Sequence, residues 1–263
     1  MNPPTILALH GFTGGGSDFA PLVEALPEFN WLTPDLPGHA PDPNAPGAPG
    51  DACRLATSLR YLDSIVPEKP DGPLVLLGYS LGGRLALHFA LERPERIAAL
   101  VLIGTSPGIA DNIERVARQA EDDKLAQNII AQGVPAFLQD WQQRPLIASQ
   151  SRLPETWRAA MRERRRRLRA EGLAASLRQF GQGMVEPVWE RLGELRRPIL
   201  VCAGVNDEKY AAQAKEIQRR CPRAKLLLVP QAGHMAHLEN CEAFAANLRD
   251  FLGKCTSRGK KTK

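Results

Sequence analysis

The sequence of 263 residues has little of what membrane-bound, exported or disulfide-stabilised proteins need. It contains no apolar run near the roughly 18 residues of a membrane span, and the segment Thr5–Leu9 is too short for a signal-peptide core. Its five cysteines are scattered, odd in number and without a C-x-x-C pair, which indicates free thiols. We therefore expect a cytoplasmic protein with no membrane partner.

Metal-binding and nucleotide-binding motifs are also missing. No cluster of cysteine or histidine has zinc-ligand spacing. The glycine-rich residues 10–16 (HGFTGGG) lack the spacings G-x-x-x-x-G-K-[ST] and G-x-G-x-x-G that cradle phosphates. We expect no metal and no cofactor.

Basic residues are in excess, which gives a formal net charge of +5. The excess is concentrated at Arg162–Arg169 and in the C-terminal residues 256–263, which we interpret as a disordered tail. A basic surface attracts nucleic acid or, equally, a polyanionic small molecule. We favour a small anionic substrate and no nucleic acid; the sequence leaves the oligomeric state open.

Short apolar runs alternate with helical stretches, a pattern that predicts an α/β fold with a mostly parallel sheet flanked by helices. The predicted strands are Ile6–Leu9, Trp31–Thr33, Leu74–Leu77, Leu100–Ile103, Ile199–Ala203 and Leu226–Val229. The predicted helices between them are Phe19–Ala25, Ala52–Ile65, Leu81–Leu91, Ala211–Arg220 and Ala243–Phe251.

One interval, residues 110–195, interrupts this alternation with helical patterns, four prolines and no convincing strand. We predict an all-helical insertion there, a lid over a core formed by residues 1–109 and 196–255. The Pro- and Gly-rich segment Pro41–Pro49 is predicted to be a surface loop.

The most specific local motif is G-x-S-x-G at residues 78–82, directly after a predicted strand and before a predicted helix. Such a strand-to-helix turn presents Ser80 for reaction, and glycine is used beside it because side chains would clash. The alternative is a glycine-rich turn in which Ser80 only caps the following helix.

A reactive serine needs a histidine and an acid, in the chain order Ser, Asp, His for this motif. Asp207 and His234 each follow a predicted strand, at the sheet edge where α/β proteins place reacting groups. Asp207 would fix the tautomer of His234. Taken singly, the two residues would be an Asx turn and a polar loop histidine.

Two backbone N–H groups complete such a site by holding an oxyanion. Leu81, after the serine, supplies one, and Phe12, in the glycine-rich loop after the first strand, supplies the other. We expect His39 to brace loops below the site; His88 and His237 are expected to be structural.

Residues 10–12 (HGF), 35–39 (DLPGH) and 78–83 (GYSLGG) resemble the α/β-hydrolase superfamily. A finer resemblance is to the 2-succinyl-6-hydroxy-2,4-cyclohexadiene-1-carboxylate (SHCHC) synthase family of menaquinone biosynthesis, and it spans nearly the whole chain. The segments that carry it are Gly82–Arg84, Thr105–Ile109, Asp140–Pro145, Glu171–Ala174, Gly204–Tyr210, Gly233–His234 and His237–Asn240.

This resemblance implies a lyase whose substrate carries three carboxylates and an enolpyruvyl ether. The serine would act as a base beside the succinyl ketone, and pyruvate would leave in an elimination. The chemistry is consistent with the motif, because enolate charge develops on a carbonyl oxygen that an oxyanion hole can hold.

Five further residues are candidates for binding this substrate. Arg84 lies one helical turn after Ser80, where a bidentate cation suits a carboxylate. The resemblance adds Arg118 and Arg167 as carboxylate ligands, Trp141 as a lid aromatic, and Tyr79. The alternative is a surface ion pair for Arg84 and a solvated helix face for Arg118 and Arg167.

Two other functions remain open on the sequence. A serine hydrolase for esters, thioesters or carbon–carbon bonds would use the same Ser80 to form an acyl-enzyme. A binding protein without catalysis is the other, although the complete set of three residues counts against it. Arg144 departs from the resembling family, in which an uncharged residue is common at this position.

Overall fold

The computed structural model describes residues 2–40, 51–66 and 72–257. These residues form a six-stranded sheet in the order β2-β1-β3-β4-β5-β6, with every neighbouring pair parallel. The strands are β1 (Thr5–Leu9), β2 (Asn30–Leu32), β3 (Leu74–Tyr79), β4 (Ala99–Ile103), β5 (Ile199–Gly204) and β6 (Ala224–Val229). The predicted α/β class is confirmed.

Helices connect the strands and cover both faces of the sheet. They are α1 (Ala20–Ala25), α2 (Leu55–Ile65), α3 (Leu81–Glu92), α4 (Asn112–Gln143), α5 (Pro145–Ala148), α6 (Glu155–Arg165), α7 (Ala170–Phe180), α8 (Glu208–Arg220), α9 (Ala236–Glu239) and α10 (Cys241–Ser257). Within the described ranges, none of these helices is both long enough and apolar enough to cross a membrane.

The core has two layers, one on each face of the sheet. Helices α2, α3 and α8 pack on one face, and α1 and α10 pack on the other. Strand β3 is buried along its whole length because helices lie on both sides of it. A strand buried on both faces has no polar alternation, which explains why the central strands are continuous apolar runs.

The chain between β4 and β5 contains several helices and no strand among the described residues, and we refer to its residues 110–195 as the helical insertion. It contains α4 to α7 and two 3₁₀ turns, Ser149–Arg152 and Trp189–Glu194. Its own apolar cluster joins α4 to α7, with Ile129 and Phe137 packed near Leu173 and Leu177. Phe12, from the loop after β1, packs against that cluster and connects it to the core.

Two predicted features lie wholly or partly outside the described residues. The predicted loop Pro41–Pro49 is one of them. Helix α10 extends to Ser257, so the predicted tail of residues 256–263 begins inside a helix, and the rest of it is outside the described residues.

Candidate active site

Ser80 lies on the turn between β3 and α3, with φ 52° and ψ −109°, where non-glycine residues are uncommon. The turn is tight because the backbone crosses closely: a Cβ on Gly82 would lie 2.2 Å from the carbonyl oxygen of Leu9. Ser80 N–H donates to the carbonyl oxygen of Ile103 at 2.9 Å, which fixes the turn to the neighbouring strand. The strained turn presents the serine side chain above the carboxyl edge of the sheet.

The loops after β5 and β6 bring Asp207 and His234 to the same place. His234 Nε2 lies 3.1 Å from Ser80 Oγ, and His234 Nδ1 lies 2.7 Å from Asp207 Oδ2. The other carboxylate oxygen, Oδ1, accepts from Tyr210 N–H at 3.3 Å and caps the start of α8. The Asx-type cap is therefore present as well, and it orients Asp207 so that the imidazole tautomer is fixed with Nε2 toward Ser80.

Phe12 and Leu81, the residues predicted to supply the oxyanion donors, line the same cavity as Ser80. Leu81 is the first residue of α3, so its N–H has no acceptor within the helix. The loop that carries Phe12 is held against α3, because Gly82 N–H donates to the carbonyl oxygen of His10 at 3.0 Å. Among the described residues, neither the Leu81 nor the Phe12 N–H has a hydrogen-bond acceptor.

Buried histidines support the loops under the site. His10 Nε2 accepts from Leu36 N–H at 2.9 Å, and the His10 and His39 rings are 5.0 Å apart. Burial lowers the pKa of His10, His39 and His237 to about 3, which keeps all three neutral. Burial also lowers the pKa of His88, to about 4. These placements agree with the structural roles expected for His39, His88 and His237.

A cavity of about 670 Å³ opens above Ser80 between the core and the helical insertion. Its wall includes Ser80, His234, Phe12, Leu81 and Tyr79. Its charges are unbalanced, with two carboxylates, Glu121 and Asp122, against six cationic side chains. The cationic residues of the wall are Arg84, Arg118, Lys124, Arg144, Arg165 and Lys209.

Arg84 is a buried cation on α3, with 7% of its surface exposed. Its Nη2 donates to the carbonyl oxygen of Phe180 at 3.0 Å, whereas Nε has no partner among the residues that the structure describes. Burial lowers the pKa of Arg84 to about 10, so the guanidinium stays charged at neutral pH. Because no acidic side chain forms a salt bridge with it within the described residues, Arg84 is not the surface ion pair considered above.

Arg118 and Trp141 extend from α4 into the same cavity. Arg118 Nε donates to Asp122 Oδ1 at 2.8 Å, and Nη1 donates to Gln182 Oε1 at 2.7 Å. The Trp141 ring lies 5.4 Å from the ring of Phe12, and its buried Nε1 has no partner in the described part of the chain. The Arg144 guanidinium stacks 4.7 Å above Trp141 and joins the cavity wall.

The structure does not bring Arg167 into this cavity, and that prediction is corrected. Arg167 follows the end of α6, its side chain is 64% exposed, and it pairs with Glu163 at 3.3 Å. The arginine of this segment that lines the cavity is Arg165, which is buried and donates from Nη2 to Gln150 at 2.9 Å. Burial lowers the pKa of Arg165.

The helical period explains the correction. Trp157, Met161 and Arg165 recur every four residues on the inward face of α6, whereas Arg167 lies beyond the last residue of the helix. The apolar residues before the arginine cluster were the signal that distinguishes Arg165 from Arg167.

Sequence reasoning also missed Gln182 and Tyr210. Gln182 Nε2 donates to Tyr210 Oη at 3.1 Å, so Arg118 is connected through Gln182 to Tyr210. The Tyr210 ring in turn lies 4.4 Å from the imidazole of His234. Tyr210 carried a signal, since it follows Asp207 by three residues, but Gln182 had none.

A parallel sheet with a serine on the turn after β3, and with a histidine and an acid after later strands, defines the class of α/β-hydrolase-fold proteins. A family model described as the alpha/beta hydrolase fold matches residues 4–240 of this chain. The predicted fold class, including the helical insertion, is therefore confirmed.

Comparison with individual proteins identifies a narrower family within this class. A Bacillus subtilis (strain 168) protein named "Putative 2-succinyl-6-hydroxy-2,4-cyclohexadiene-1-carboxylate synthase" is 37% identical over 249 residues, which cover 94% of this chain and 89% of that protein. The 2-succinyl-6-hydroxy-2,4-cyclohexadiene-1-carboxylate synthase of Serratia proteamaculans (strain 568) is 30% identical, and the match covers 95% of this chain and 93% of the Serratia protein. The structure of MenH from S. aureus superposes with a TM-score of 0.90 at 31% identity, over 97% of this chain and 95% of MenH.

The chain belongs to the α/β-hydrolase-fold family and, within it, to the SHCHC synthase family. The resemblance noted in the sequence is thus confirmed along nearly the full length, including the helical insertion.

Proposed function

We propose that this protein is an SHCHC synthase, a carbon–oxygen lyase of menaquinone biosynthesis that acts in the cytoplasm without a cofactor. It would eliminate pyruvate from 2-succinyl-5-enolpyruvyl-6-hydroxy-3-cyclohexene-1-carboxylate. The observation that carries this proposal is the cavity above Ser80, where six cationic side chains and two carboxylates line a space of about 670 Å³. Such a wall suits a substrate with several carboxylates better than a neutral ester.

Ser80, His234 and Asp207 serve as a catalytic triad in this proposal. His234 Nε2 accepts the Ser80 proton, and Ser80 Oγ then removes the proton from the ring carbon beside the succinyl ketone. The electron pair moves through the ring double bond and breaks the bond from carbon to the enolpyruvyl oxygen. Enolpyruvate leaves and takes up the proton held by His234 to become pyruvate, while Ser80 Oγ keeps the proton from the ring carbon.

The charge that develops on the ketone oxygen is held by the N–H groups of Leu81 and Phe12. Arg84, Arg118 and Arg165 are positioned around the same cavity to bind the carboxylates. Trp141 and Tyr79 provide apolar and hydroxyl contacts in the wall. The helical insertion acts as a lid, because α4 and α6 supply two of these arginines from above the sheet.

The test is release of pyruvate from the enolpyruvyl substrate, measured as NADH oxidation with lactate dehydrogenase. Ser80→Ala should lower kcat by at least about 1,000-fold, as expected for loss of the reacting group. Ser64→Ala is the matched control, since this exposed serine on α2 donates to the Tyr61 carbonyl oxygen, away from the cavity, and it should retain wild-type turnover.

The competing function is a serine hydrolase that forms an acyl-enzyme. It predicts rapid cleavage of p-nitrophenyl esters, with a burst equal to the enzyme concentration and no pyruvate release. A burst without pyruvate would refute the lyase proposal. A protein inert in both assays would be a binding protein.

A further inference from the structure

Glu239, the last residue of α9, holds a carboxylate in the interior, with its side chain only 2% exposed. Oε2 accepts from Gly233 N–H at 2.8 Å, and Oε1 accepts from Met235 N–H at 3.1 Å. Oε1 also accepts from the hydroxyl of Ser149 at 2.9 Å. A single carboxylate therefore binds three donors from two segments of the chain.

Two of those donors are the residues on either side of His234. The loop there lies outside regular secondary structure, because β6 ends at Val229 and α9 begins at Ala236. The position of the imidazole depends on the direction of the backbone at residue 234. By fixing the N–H groups before and after it, Glu239 fixes that direction.

The third donor belongs to the helical insertion. Ser149 begins the 3₁₀ turn Ser149–Arg152, directly after α5. It is packed closely on the histidine loop, since a Cβ on Gly233 would lie 2.5 Å from Ser149 Oγ. Arg152 Nη2, on the same turn, lies 3.5 Å from Glu239 Oε2 and is largely exposed. The insertion and the histidine loop thus meet at one carboxylate.

We propose that Glu239 is a positioning residue that orients His234 toward Ser80, and that its bond to Ser149 couples this orientation to the placement of the helical insertion. The inference rests on the proposed reaction between Ser80 and His234, but not on the identity of the substrate.

Chemistry explains why a carboxylate is needed here. The partners Gly233 N–H, Met235 N–H and Ser149 O–H all donate, and an ionised carboxylate is the side-chain group that only accepts. A glutamine in its place would turn an amide NH₂ toward one of these donors. Glu239→Gln therefore keeps the size of the side chain and disrupts the hydrogen bonding on one side of His234.

The experiment measures how fast phenylmethanesulfonyl fluoride labels Ser80. In this reaction the Ser80 oxygen forms a bond to sulfur, fluoride leaves, and His234 takes the hydroxyl proton, so the rate reports the Ser80–His234 alignment without the natural substrate. In Glu239→Gln, Ser80 should be labelled at least about tenfold more slowly. A misaligned His234 loses part of the rate acceleration that a general base contributes. For pyruvate release, kcat should fall in parallel while KM stays within about threefold, since no substrate contact is removed.

Ser149→Ala tests the coupling and is a mild change at a half-buried position. It should slow labelling by about threefold, because one of the bonds to the carboxylate is lost. Glu242→Gln is the control: this glutamate is exposed at the start of α10, and its change should alter neither rate.

Labelling of folded Glu239→Gln at the wild-type rate would overturn the positioning role. Wild-type labelling in Ser149→Ala would overturn the coupling, and it would decide against the whole proposal if Glu239→Gln does not fold. Absence of pyruvate release from the wild type would count against the lyase proposal alone, because labelling of Ser80 does not require that substrate.

Discussion

Arg84 and Arg165 are guanidinium groups held in the protein interior without an acidic partner among the described residues. Each donates from Nη2 to an uncharged oxygen, and within the described ranges the Nε of each has no partner. A buried cation without a counter-ion costs several kcal/mol relative to an apolar side chain. Both guanidinium groups lie in one cavity wall, so the fold carries this free-energy cost twice. Carboxylates of a bound substrate would offset it.

Replacing Arg165 by Met should therefore separate stability from activity. We expect Arg165→Met to unfold at the same or a higher Tm, because an uncompensated buried charge is removed. In the pyruvate assay kcat/KM should fall by about 30-fold or more, since losing a charged hydrogen bond costs about 2 kcal/mol or more.

Arg167→Met is the matched control, two residues further and exposed beside Glu163. It should change kcat/KM less than about twofold, as expected for a surface ion pair. Equal losses in the two variants, or none in Arg165→Met, would contradict the assignment of Arg165 to the cavity.

The residues of the reacting centre were predictable because their signal is local. Ser80 is marked by two glycines, a strand and a helix, and Asp207 and His234 by their positions after strands. The choice between Arg165 and Arg167 had no such motif and needed the helical period of residues 157–165 instead. It depended on the rotation of α6 about its axis, which is set by packing of Met161 against the core.

Among the elements, α4 is the least regular, because two helical segments meet at a kink. Gly133 has φ 81° and ψ 164°, a conformation almost restricted to glycine, and Pro135 follows two residues later. The kink redirects the second segment so that Phe137 and Trp141 pack toward Phe12 at the cavity. The sequence indicated an interruption through Pro135, but the direction of the kink depends on contacts with α7.

Gly133→Ala should thus strain the kink rather than fill space, since the nearest atom to an added Cβ is 3.8 Å away. We expect a loss of about 1–3 kcal/mol in the free energy of unfolding, measured with urea. The KM for the enolpyruvyl substrate should rise as well, because Trp141 is displaced. Gly193→Ala, an exposed glycine whose added Cβ meets nothing within 4 Å, should change neither quantity.

Strands were easier to predict than helices for a physical reason. The four central strands, β1, β3, β4 and β5, lie between two apolar layers, so their sequences are almost wholly hydrophobic and their ends shift by at most two residues from prediction. Helix starts moved more, as with α8, which begins at Glu208 because Asp207 caps it. The helices of the insertion pack on one another through long-range contacts, which a linear pattern does not encode.

At the scale of the whole molecule, all five histidines are buried, and burial keeps the four outside the reacting centre neutral. Burial lowers the pKa of His10, His39 and His237 to about 3, and of His88 to about 4, against an ordinary value of 6.5. The folded state therefore binds fewer protons than the unfolded chain at pH values between the folded and the unfolded pKa of these histidines. It follows that stability falls as the pH drops below about 6.5, the unfolded pKa, and continues to fall until the folded groups titrate.

We therefore predict that the protein loses stability in mild acid, at pH values well above those at which carboxylates titrate. Between pH 7 and pH 5 the free energy of unfolding should fall by on the order of 2 kcal/mol for each buried histidine. Urea denaturation at the two pH values measures the fall. In His237→Gln the fall should be smaller by the contribution of one histidine, because His237 packs between Tyr79 and Phe19 and its Nδ1 has no hydrogen-bond partner in the described part of the chain. The same pH dependence in His237→Gln and the wild type would mean that His237 is protonated in the folded protein at pH 5.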